Sequence, residues 1–560
     1  MAEFNLIDEP WLIVMTDKKG TTQEVSLKDI FENAHDYKCL AGETAMQDFA
    51  ILRLLLSILH TVFSRFDANG NPYGYFELDE QYQQISPVDQ DDDIDDYQED
   101  LFATWKSLWQ AKVFPEIIGE YLEKWRDQFY LFGGSTPFYQ VSKDTLELTG
   151  NKIDKAKPNQ VYGKTVNRTL SESENKVILF SPQHDSIKNK LSKSEIARWL
   201  VLYQGVTGTG DKVKFANQET DQKLSKGWLY DLGGLYPSGE NLFDTLLLNL
   251  ALVHPKKEYI KMQTPIWEVA TNKDQLEKFR TNEIVDNLAS LYTNWSRAIN
   301  LQDNCSDETD FSISIIKLPE VEHPNNFLEL MTEWRFNKNG DNKGKFTPKK
   351  HNLNEQLWRS FGLTFMPGTD VHQRPGIVNW INELETQNVR LGSLKFNAVS
   401  MVDDGNATSW NPINEIFDQL VFENILSDAD DSWIPRISDE VVLTKMLIDN
   451  VLGSFANSLK MIRNLNSSEF VNRVKQEAYY QVDVPFREWL ASIKPFDEKE
   501  VKIKEWKYKL HKVIESEAQK LIDLSCKRDI LGVKDGGNMK NIFTAYNRFN
   551  WKLNEHLSKE

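Results

Sequence analysis

The segment YQGVTGTGDKVKF, residues 203–215, contains the residue types of a phosphate-binding loop. Gly205 and Gly210 have the spacing of the two outer glycines of a P-loop, and Lys212 lies one residue beyond the position of its lysine. Asp211 and Val213 flank this lysine, so no Lys-Ser or Lys-Thr pair is present to reach the β- and γ-phosphates and Mg²⁺. The match to a nucleotide site is therefore incomplete.

The residues before this segment predict a helix rather than the strand that precedes a P-loop. Ser192 and Glu195 have the spacing of a capping box, and apolar residues then recur at helical spacing up to Tyr203. A P-loop binds phosphate because it opens a helix, whereas these glycines are predicted to end one. Three interpretations stay open: a nucleotide site, a helix C-cap followed by a mobile loop, and a loop poor in side chains that lets a groove floor approach closely.

Other catalytic patterns are absent from the sequence. Its nine histidines lie without metal-ligand spacing, and neither G-x-S-x-G nor H-E-x-x-H occurs. The acidic run at residues 89–96 is consecutive and lacks the fixed geometry of a two-metal nuclease. We therefore expect a chain without enzymatic activity, cofactor or metal. A nucleotide-binding enzyme and a scaffold that binds only proteins remain the alternatives.

Charge is distributed unevenly along the chain. The net charge of −19 and the pI near 5.1 argue against a protein that binds nucleic acid on its own. Basic residues nevertheless gather in four clusters, three of them near the glycine segment, which favours a local anionic footprint. The clusters are Lys152, Lys155, Lys157, Lys164 and Arg168; Lys188, Lys190 and Lys193; Lys212 and Lys214; and Lys343, Lys345, Lys349 and Lys350.

Length predicts a protein of two domains, cysteine usage predicts a reducing compartment, and the order of the elements given below predicts an α+β fold. A chain of 560 residues is long enough for more than one core. Its three cysteines are far apart, which indicates neither a disulfide framework nor a zinc site. The N-terminus lacks a basic region typical of a signal peptide, and the best apolar run, residues 246–253, is too short to span a membrane. We expect a cytoplasmic protein with no membrane partner.

Hydrophobic periodicity predicts the elements that position these residues. Strands are expected at 4–14 and 24–27, an amphipathic helix at 47–66, a helical stretch at 101–132 that Pro115 interrupts, and a flexible lysine-rich loop at 150–190. Helices are then predicted at 413–426, 440–465, 469–493, 498–526 and 540–557, with a kink or break at Pro485. The resulting domains are a mixed α/β domain at 1–408 and a helical bundle at 409–560.

Several segments resemble one protein family. They are FNLIDEPWLIV (4–14), VSLKDIF (25–31), LAGETAMQDFAILRLLLSIL (40–59), FYLFGGSTPFYQV (129–141), NKVILFSPQHD (175–185), TPIWE (264–268) and RPGIVNWINEL (374–384). In these segments, and in the order in which they occur, the chain is similar to CasA, the large subunit of the type I-E CRISPR surveillance complex (Cascade).

The resemblance implies a function without catalysis. Its partners would be the other Cascade subunits, the crRNA, double-stranded target DNA and a helicase-nuclease effector. The subunit would recognise the protospacer-adjacent motif (PAM) in duplex DNA, start strand separation and R-loop formation, and help to recruit the effector. An acidic chain can do this because its partners hold it against the DNA.

The resemblance also assigns roles to residues. Gly208, Thr209 and Gly210 match the loop that reads the PAM in the minor groove. A wedge hairpin matches residues 391–401, with Asn397 and Ala398 at the tip and Lys395 and Phe396 beside them. Ala398 stands where the best-known members carry a glutamine, so either the alignment slips by one residue or Asn397 and Phe396 form the wedge. The flexible loop matches the segment beginning at Leu179, Phe180 and Ser181. A PAM-contacting lysine is either Lys395 or one in residues 345–350. The candidate phosphate contacts are Lys212, Lys214, Lys345, Lys349 and Lys350.

Overall fold

The computed structural model divides the chain into two compact units. It describes residues 3–143, 146, 159–170, 172, 181–208, 225–269, 285–301, 310–405, 412–423, 426, 432–535 and 538–558. The first unit consists of residues 1–351, 375–384 and 396–417, and the second of 352–374, 385–395 and 418–560. The predicted fold class, mixed helix and strand followed by a helical region, is confirmed. The second unit is not a continuous segment that begins at 409, because two earlier segments belong to it.

Sixteen helices and fifteen strands are numbered here along the described residues. The helices are α1 Leu27–Glu32, α2 Ala45–Phe63, α3 Ile94–Ala111, α4 Ile117–Lys124, α5 Gly163–Val166, α6 Lys193–Gly205, α7 Leu242–Asn249, α8 Leu288–Tyr292, α9 Phe361–Phe365, α10 Gly376–Thr386, α11 Trp433–Met446, α12 Gly453–Arg463, α13 Glu469–Ala491, α14 Lys499–Asp523, α15 Lys527–Leu531 and α16 Ile542–Leu557. The strands are β1 Phe4–Asn5, β2 Leu12–Met15, β3 Thr22–Val25, β4 Cys39–Leu40, β5 Tyr130–Phe132, β6 Asn159–Tyr162, β7 Gly234–Ser238, β8 Arg297–Leu301, β9 Ser312–Lys317, β10 Trp334–Phe336, β11 Phe346–Pro348, β12 Ser393–Asp403, β13 Pro412–Glu423, β14 Val533–Asp535 and β15 Asn538–Lys540.

Helix α2 forms the centre of the first unit. It begins at the N-cap Thr44, whose side chain accepts a hydrogen bond from the backbone N–H of Gln47. The sequence predicts one apolar face, but the helix is buried on nearly all sides. Among the described residues, it is the one helix long and apolar enough to cross a membrane, and 94% of its apolar window lies inside the protein. It is therefore a core helix, and 246–253 is not the longest apolar segment.

Small sheets carry the segments of functional interest. Strand β9 lies between β6 and β8 in an antiparallel sheet, with Ile313 opposite both Val161 and Leu301. Strand β12 lies between β7 and β13. Strands β10 and β11 form a separate antiparallel hairpin in which Phe336 is opposite Phe346.

The helical stretch predicted at 101–132 is three elements. Helix α3 ends at Ala111, and the next residue, Lys112, has a φ of 59°, the left-handed conformation that stops a helix. Pro115 precedes α4, and a 3₁₀ turn then leads into strand β5. The interruption at Pro115 is thus confirmed, whereas the continuation of helix to residue 132 is wrong.

The second unit contains the predicted helical bundle. Helices α13, α14 and α16 match three of the predicted helices, and Pro485 lies inside α13 without ending it. A π-helical segment at Leu447–Leu452 joins α11 and α12. The helix predicted at 413–426 is wrong, because residues 412–423 form strand β13.

Candidate nucleic-acid interface

The root of the glycine segment is a closed, buried structure at the end of α6. Ser192 and Glu195 form the predicted capping box, and the helix ends at Gly205. Just beyond it, the backbone N–H of Thr207 donates to the carbonyl of Lys226 at 2.7 Å. Residues 209–224 lie outside the described part of the chain, and their two flanks are joined by this hydrogen bond.

Arg297, at the start of β8, forms hydrogen bonds to the same two flanks. Its guanidinium donates to the carbonyl of Ser225 at 2.7 Å and to the carbonyl of Gly208 at 2.9 Å. The side chain is fully buried. Because a buried carbonyl without a donor is costly, this arginine fixes the place where the chain leaves and re-enters the core.

Gly205 is required by packing rather than by a ligand. A Cβ on it would lie 2.7 Å from Cδ1 of Leu229, and a Cβ on Gly227 would lie 2.1 Å from the carbonyl oxygen of Gly205. Gly227 also has a φ of +93°, which residues with a side chain rarely adopt. Gly205, the first glycine of the P-loop-like pattern, therefore lies where the backbone passes very close to that of Gly227.

A row of side chains links this root to the end of β12. The ammonium of Lys226 lies 2.6 Å from Asp231 and 4.8 Å from the ring centre of Tyr230. The ammonium of Lys350 lies 4.1 Å from the centre of the same Tyr230 ring and 3.2 Å from the carboxylate of Asp403. The last residue of β12 and the flank of the glycine segment are thus held at one site within the first unit.

The pKa values of Asp231 and Lys350 in this row depend on burial and on the neighbouring charges. Burial acts to raise the pKa of Asp231, but the charges of Lys226 and His323 outweigh it and hold the pKa below its usual range. Burial lowers the pKa of Lys350, an effect that Asp231 and Asp403 oppose. Both lysines are therefore engaged by carboxylates of the protein itself.

The structure corrects the position of the predicted wedge. Lys395, Phe396, Asn397 and Ala398 lie within strand β12 and not at a hairpin tip. Phe396, Asn397 and Ala398 are buried, and Asn397 donates to the carbonyl of Tyr236 on β7 at 3.3 Å. The tip assignment is wrong because these residues form the middle of a sheet.

The turn of this hairpin lies between Asp403 and Pro412. Ser393, at the start of β12, donates to the carbonyl of Phe422 near the end of β13, which indicates that the two strands run antiparallel. Gly405 has a φ of +67°, as a turn residue does. Residues 406–411 lie outside the described part of the chain.

The basic segment at 337–345 is the loop of the β10–β11 hairpin. Asn337 closes it by donating from its side chain to the carbonyl of Lys345 at 2.9 Å. Lys338, Lys343 and Lys345 are exposed, and within the described ranges none of them makes an ion pair. Three cations thus face solvent on one short hairpin, here called the basic hairpin.

The remaining predicted contact residues lie partly in these surroundings and partly outside the described part of the chain. Lys349 lies 3.3 Å from the buried carboxylate of Glu333, so it is paired like Lys350. Ser181 is half-buried, and its hydroxyl accepts a hydrogen bond from the N–H of Gln183. Six further predicted residues fall outside the described part of the chain: Leu179, Phe180, Thr209, Gly210, Lys212 and Lys214.

Sequence reasoning missed Arg297, Lys226 and Tyr230. Arg297 occurs in the strand segment RAINL, where nothing in its neighbours distinguishes it from an exposed arginine. Lys226 and Tyr230 follow the glycine segment, and only their spacing from Gly227 hints that they belong to its root. Their roles depend on contacts with residues far away in the chain.

Asp231, Glu320 and His323 are the residues of the described chain that could hold a metal ion. Their ligand atoms lie within 4.8 Å of one another. Trp228 stacks on the His323 ring at 4.2 Å, and Lys226 already supplies positive charge to Asp231 at 2.6 Å. An ammonium at this distance takes the place that a cation would need.

Solved structures share this fold along the whole chain. Thermobifida fusca Cse1 matches with a TM-score of 0.76 at 22% identity, covering 99% of this chain and 98% of that one. Thermus thermophilus CasA (Cse1) matches with a TM-score of 0.65 at 16% identity over 100% and 99%. A chain of a CRISPR RNA-guided surveillance complex matches with a TM-score of 0.69 at 15% identity over 98% and 99%. These likenesses define the fold class.

The sequence comparisons define the family. The model of CRISPR-associated protein Cse1 matches residues 5–516, so the chain belongs to the Cse1 family. A CasA/Cse1 protein of Thermus thermophilus is 27% identical over 306 residues, which are 54% of this chain. The matched part spans 50% of that relative's length.

Proposed function

We propose that this chain is the large, non-catalytic subunit of a type I-E CRISPR RNA-guided surveillance complex in the cytoplasm. It recognises the PAM in duplex DNA, promotes strand separation and R-loop formation, and helps to recruit the helicase-nuclease. Its other partners are the remaining Cascade subunits and the crRNA. Family membership and the likeness to a chain of a surveillance complex support this proposal.

One observation carries the DNA-binding part of the proposal. The Lys226–Tyr230–Lys350–Asp403 row places the flank of the glycine segment beside the end of β12. A loop that reads the minor groove and a turn that separates the adjacent base pair must lie close together, because opening begins next to the PAM. This row of paired side chains supplies a fixed base for both segments.

The roles of the residues follow from this arrangement. Gly208, Thr209 and Gly210 belong to the PAM-reading loop, where the two glycines, which have no side chain, allow close approach to the groove. The wedge comes from the turn at 404–411 instead of from Asn397 and Ala398, which are buried in β12. The lysine that contacts the PAM belongs to the basic hairpin, because Lys349 and Lys350 are paired with carboxylates.

A nucleotide site is the weaker reading of the glycine segment. The segment follows the C-terminus of α6, where the helix dipole is negative and repels phosphate. A phosphate site uses the opposite end of a helix. The geometry of the described flank therefore supports groove binding over ATP binding.

The test of PAM reading is Gly210→Asp in the assembled complex. A carboxylate at this position repels phosphate and fills the space for the groove, so binding of a PAM-bearing duplex weakens while assembly is retained. Gly74→Asp is the matched control, because a Cβ there meets no atom within 4 Å. Equal affinity of the Gly210→Asp complex and the wild-type complex would contradict the assignment.

Strand separation needs a second measurement. Replacing residues 406–409 with a Gly-Ser linker slows R-loop formation on an intact duplex and leaves the rate nearly unchanged on a duplex bubbled beside the PAM. The bubble removes the unstacking cost that the wedge offsets. Equal loss on both substrates would show a role in binding or folding and refute the wedge.

A further inference from the structure

A groove of about 370 Å³ lies in the first unit, away from the row described above. It runs between helices α1 and α4 and ends at the segment that joins α3 to α4. Six apolar residues form its floor: Ile7, Phe31, Phe114, Pro115, Ile118 and Leu122. This volume is in the range of sites that bind a ligand.

The floor of the groove is held rigidly. Phe114 packs against Phe243 with a ring-centre separation of 4.6 Å and against the edge of Phe31 at 6.0 Å. Ile118 and Leu122, one turn apart on α4, are buried beside it. The groove is therefore preformed, and a partner would not have to order it.

The rim of the groove is acidic. Glu32, Glu116, Glu120 and Glu123 line it together with one cation, Lys28. Arg126 engages Glu123 at 2.6 Å, and Tyr82 donates to Glu120 at 3.2 Å. Glu32 and Glu116 make no ion pair with any described residue. The rim thus attracts cations and repels phosphate.

A glycine keeps one wall of the groove open. Gly119 lies inside helix α4, and a Cβ built on it meets no atom within 4 Å. Glycine inside a helix is less favourable than alanine by about 1 kcal/mol. The fold therefore does not require glycine here, and a small residue at this position leaves the groove open to an occupant.

We propose that this groove binds a short basic segment of a partner protein, with one or two apolar side chains on the floor and lysines or arginines at the rim. Helix α4 has 8 residues and is about 12 Å long, which matches about four residues of extended chain. Charge complementarity selects a basic peptide over nucleic acid. The inference concerns a protein partner and does not depend on the proposed DNA recognition.

The test uses the full chain and a fluorescein-labelled peptide, Lys-Leu-Lys-Trp-Lys-Leu-Lys, measured by fluorescence polarisation. We expect saturable binding that weakens with salt and that Gly119→Trp reduces at least tenfold, because the indole fills the groove. Gly119→Ala, which adds only one methyl group, retains binding. A circular dichroism melt checks that each variant is folded.

Charge reversal keeps the proposal testable if Gly119→Trp does not fold. The pair Glu32→Lys and Glu116→Lys should weaken binding at least tenfold, and the matched pair Asp91→Lys and Asp92→Lys, in the exposed acidic run, should have little effect. Equal loss from both pairs, or equal binding of a peptide with serine in place of leucine and tryptophan, would overturn the groove. Unchanged binding by a folded Gly119→Trp variant would also overturn it.

Discussion

The lysines of the Lys226–Tyr230–Lys350–Asp403 row and those of the basic hairpin differ in what balances their charge. Lys226 and Lys350 lie over the ring of Tyr230, and each is paired with a carboxylate. Lys343 and Lys345 face solvent and make no ion pair within the described residues. The lysines of the row thus stabilise a shape, and the lysines of the hairpin are available to a partner.

If the chain binds DNA as proposed, this difference explains how it does so with a net charge of −19. Affinity for a duplex depends on cations that release counterions at contact, not on the average charge of the chain. Under the proposed function, the exposed lysines of the basic hairpin would provide such contacts locally. Lysines already paired with carboxylates release little and contribute mainly to the fold.

The largest effect is expected at Arg297. Arg297→Met removes the donors to the carbonyls of Ser225 and Gly208, which lie at 2.7 and 2.9 Å, whereas the carbonyl of Ser296 keeps the N–H of Leu318 as a donor. Each acceptor left without a donor costs about 1–3 kcal/mol, so the free energy of unfolding falls by about 2 kcal/mol or more. Urea unfolding followed by tryptophan fluorescence measures it.

The control for Arg297 is Arg335→Met, a change of the same type at an exposed position of β10. It should alter the free energy of unfolding by no more than about 0.5 kcal/mol. Equal stability of the two variants would contradict the view that Arg297 fixes the root of the glycine segment.

The basic hairpin predicts a loss of DNA binding without a loss of stability. Lys343→Ala with Lys345→Ala should weaken duplex binding by the assembled complex about tenfold and reduce the slope of log affinity against log salt by about 2, one unit per phosphate contact. The melting temperature should not change. Electrophoretic mobility shifts over a salt series provide the slope.

The matched double variant is Lys18→Ala with Lys19→Ala, in the exposed turn between β2 and β3. It removes the same charge and should leave both the affinity and the salt slope unchanged. A similar loss in both double variants would mean that overall charge, not the hairpin, determines binding.

The comparison between buried and exposed charges also applies to a buried carboxylate, that of Asp48. Burial, together with the nearby carboxylates of Glu43 and Glu415, raises the pKa of Asp48 to about 7, against a usual value near 4. Between these two values the folded chain holds a proton that the unfolded chain has released. Stability therefore falls as the pH rises from about 4 to 7.

Asp48→Asn should reduce this loss of stability. Its side-chain oxygen can still accept the hydrogen bond from the N–H of Gly42, which is 2.8 Å long. Thermal melts at pH 5 and pH 8 compare the variant with the wild type, and the gain should be larger at pH 8. An equal gain at both pH values would show that Asp48 does not titrate in this range.

The smallest effect is expected at the Lys350–Asp403 pair. Partly exposed pairs contribute about 0–1 kcal/mol, so a double-mutant cycle with Lys350→Met and Asp403→Asn should give a coupling energy below about 1 kcal/mol. Methionine keeps a long side chain over Tyr230. A coupling energy of several kcal/mol would make this pair a main determinant of stability and weaken the contrast with Arg297.

Local sequence signals predicted the local parts of the fold. The capping box of Ser192 and Glu195 places the start of α6, and the apolar stripe of α14 is visible as helical spacing. Both depend on residues a few positions apart. The order of the family segments then predicted the fold class and the location of the glycine segment.

Strand β13 shows why other parts were missed. Ile413, Phe417 and Leu420 have helical spacing, but Ile413 and Phe417 are exposed and Leu420 and Phe422 are buried. The true period is two, and it is set by pairing with β12, which sequence spacing does not reveal. The same strand-like alternation in Leu394, Phe396 and Ala398 argues for a buried strand at the predicted wedge.

The closed root of the glycine segment has a consequence for how recognition can diverge. The Thr207–Lys226 hydrogen bond and the Arg297 contacts join both flanks of residues 209–224 without help from the residues between them. Lengthening a closed loop is cheap, since each doubling costs about 0.6 kcal/mol. A change in the length or sequence of residues 209–224 would therefore leave these hydrogen bonds between the flanks in place.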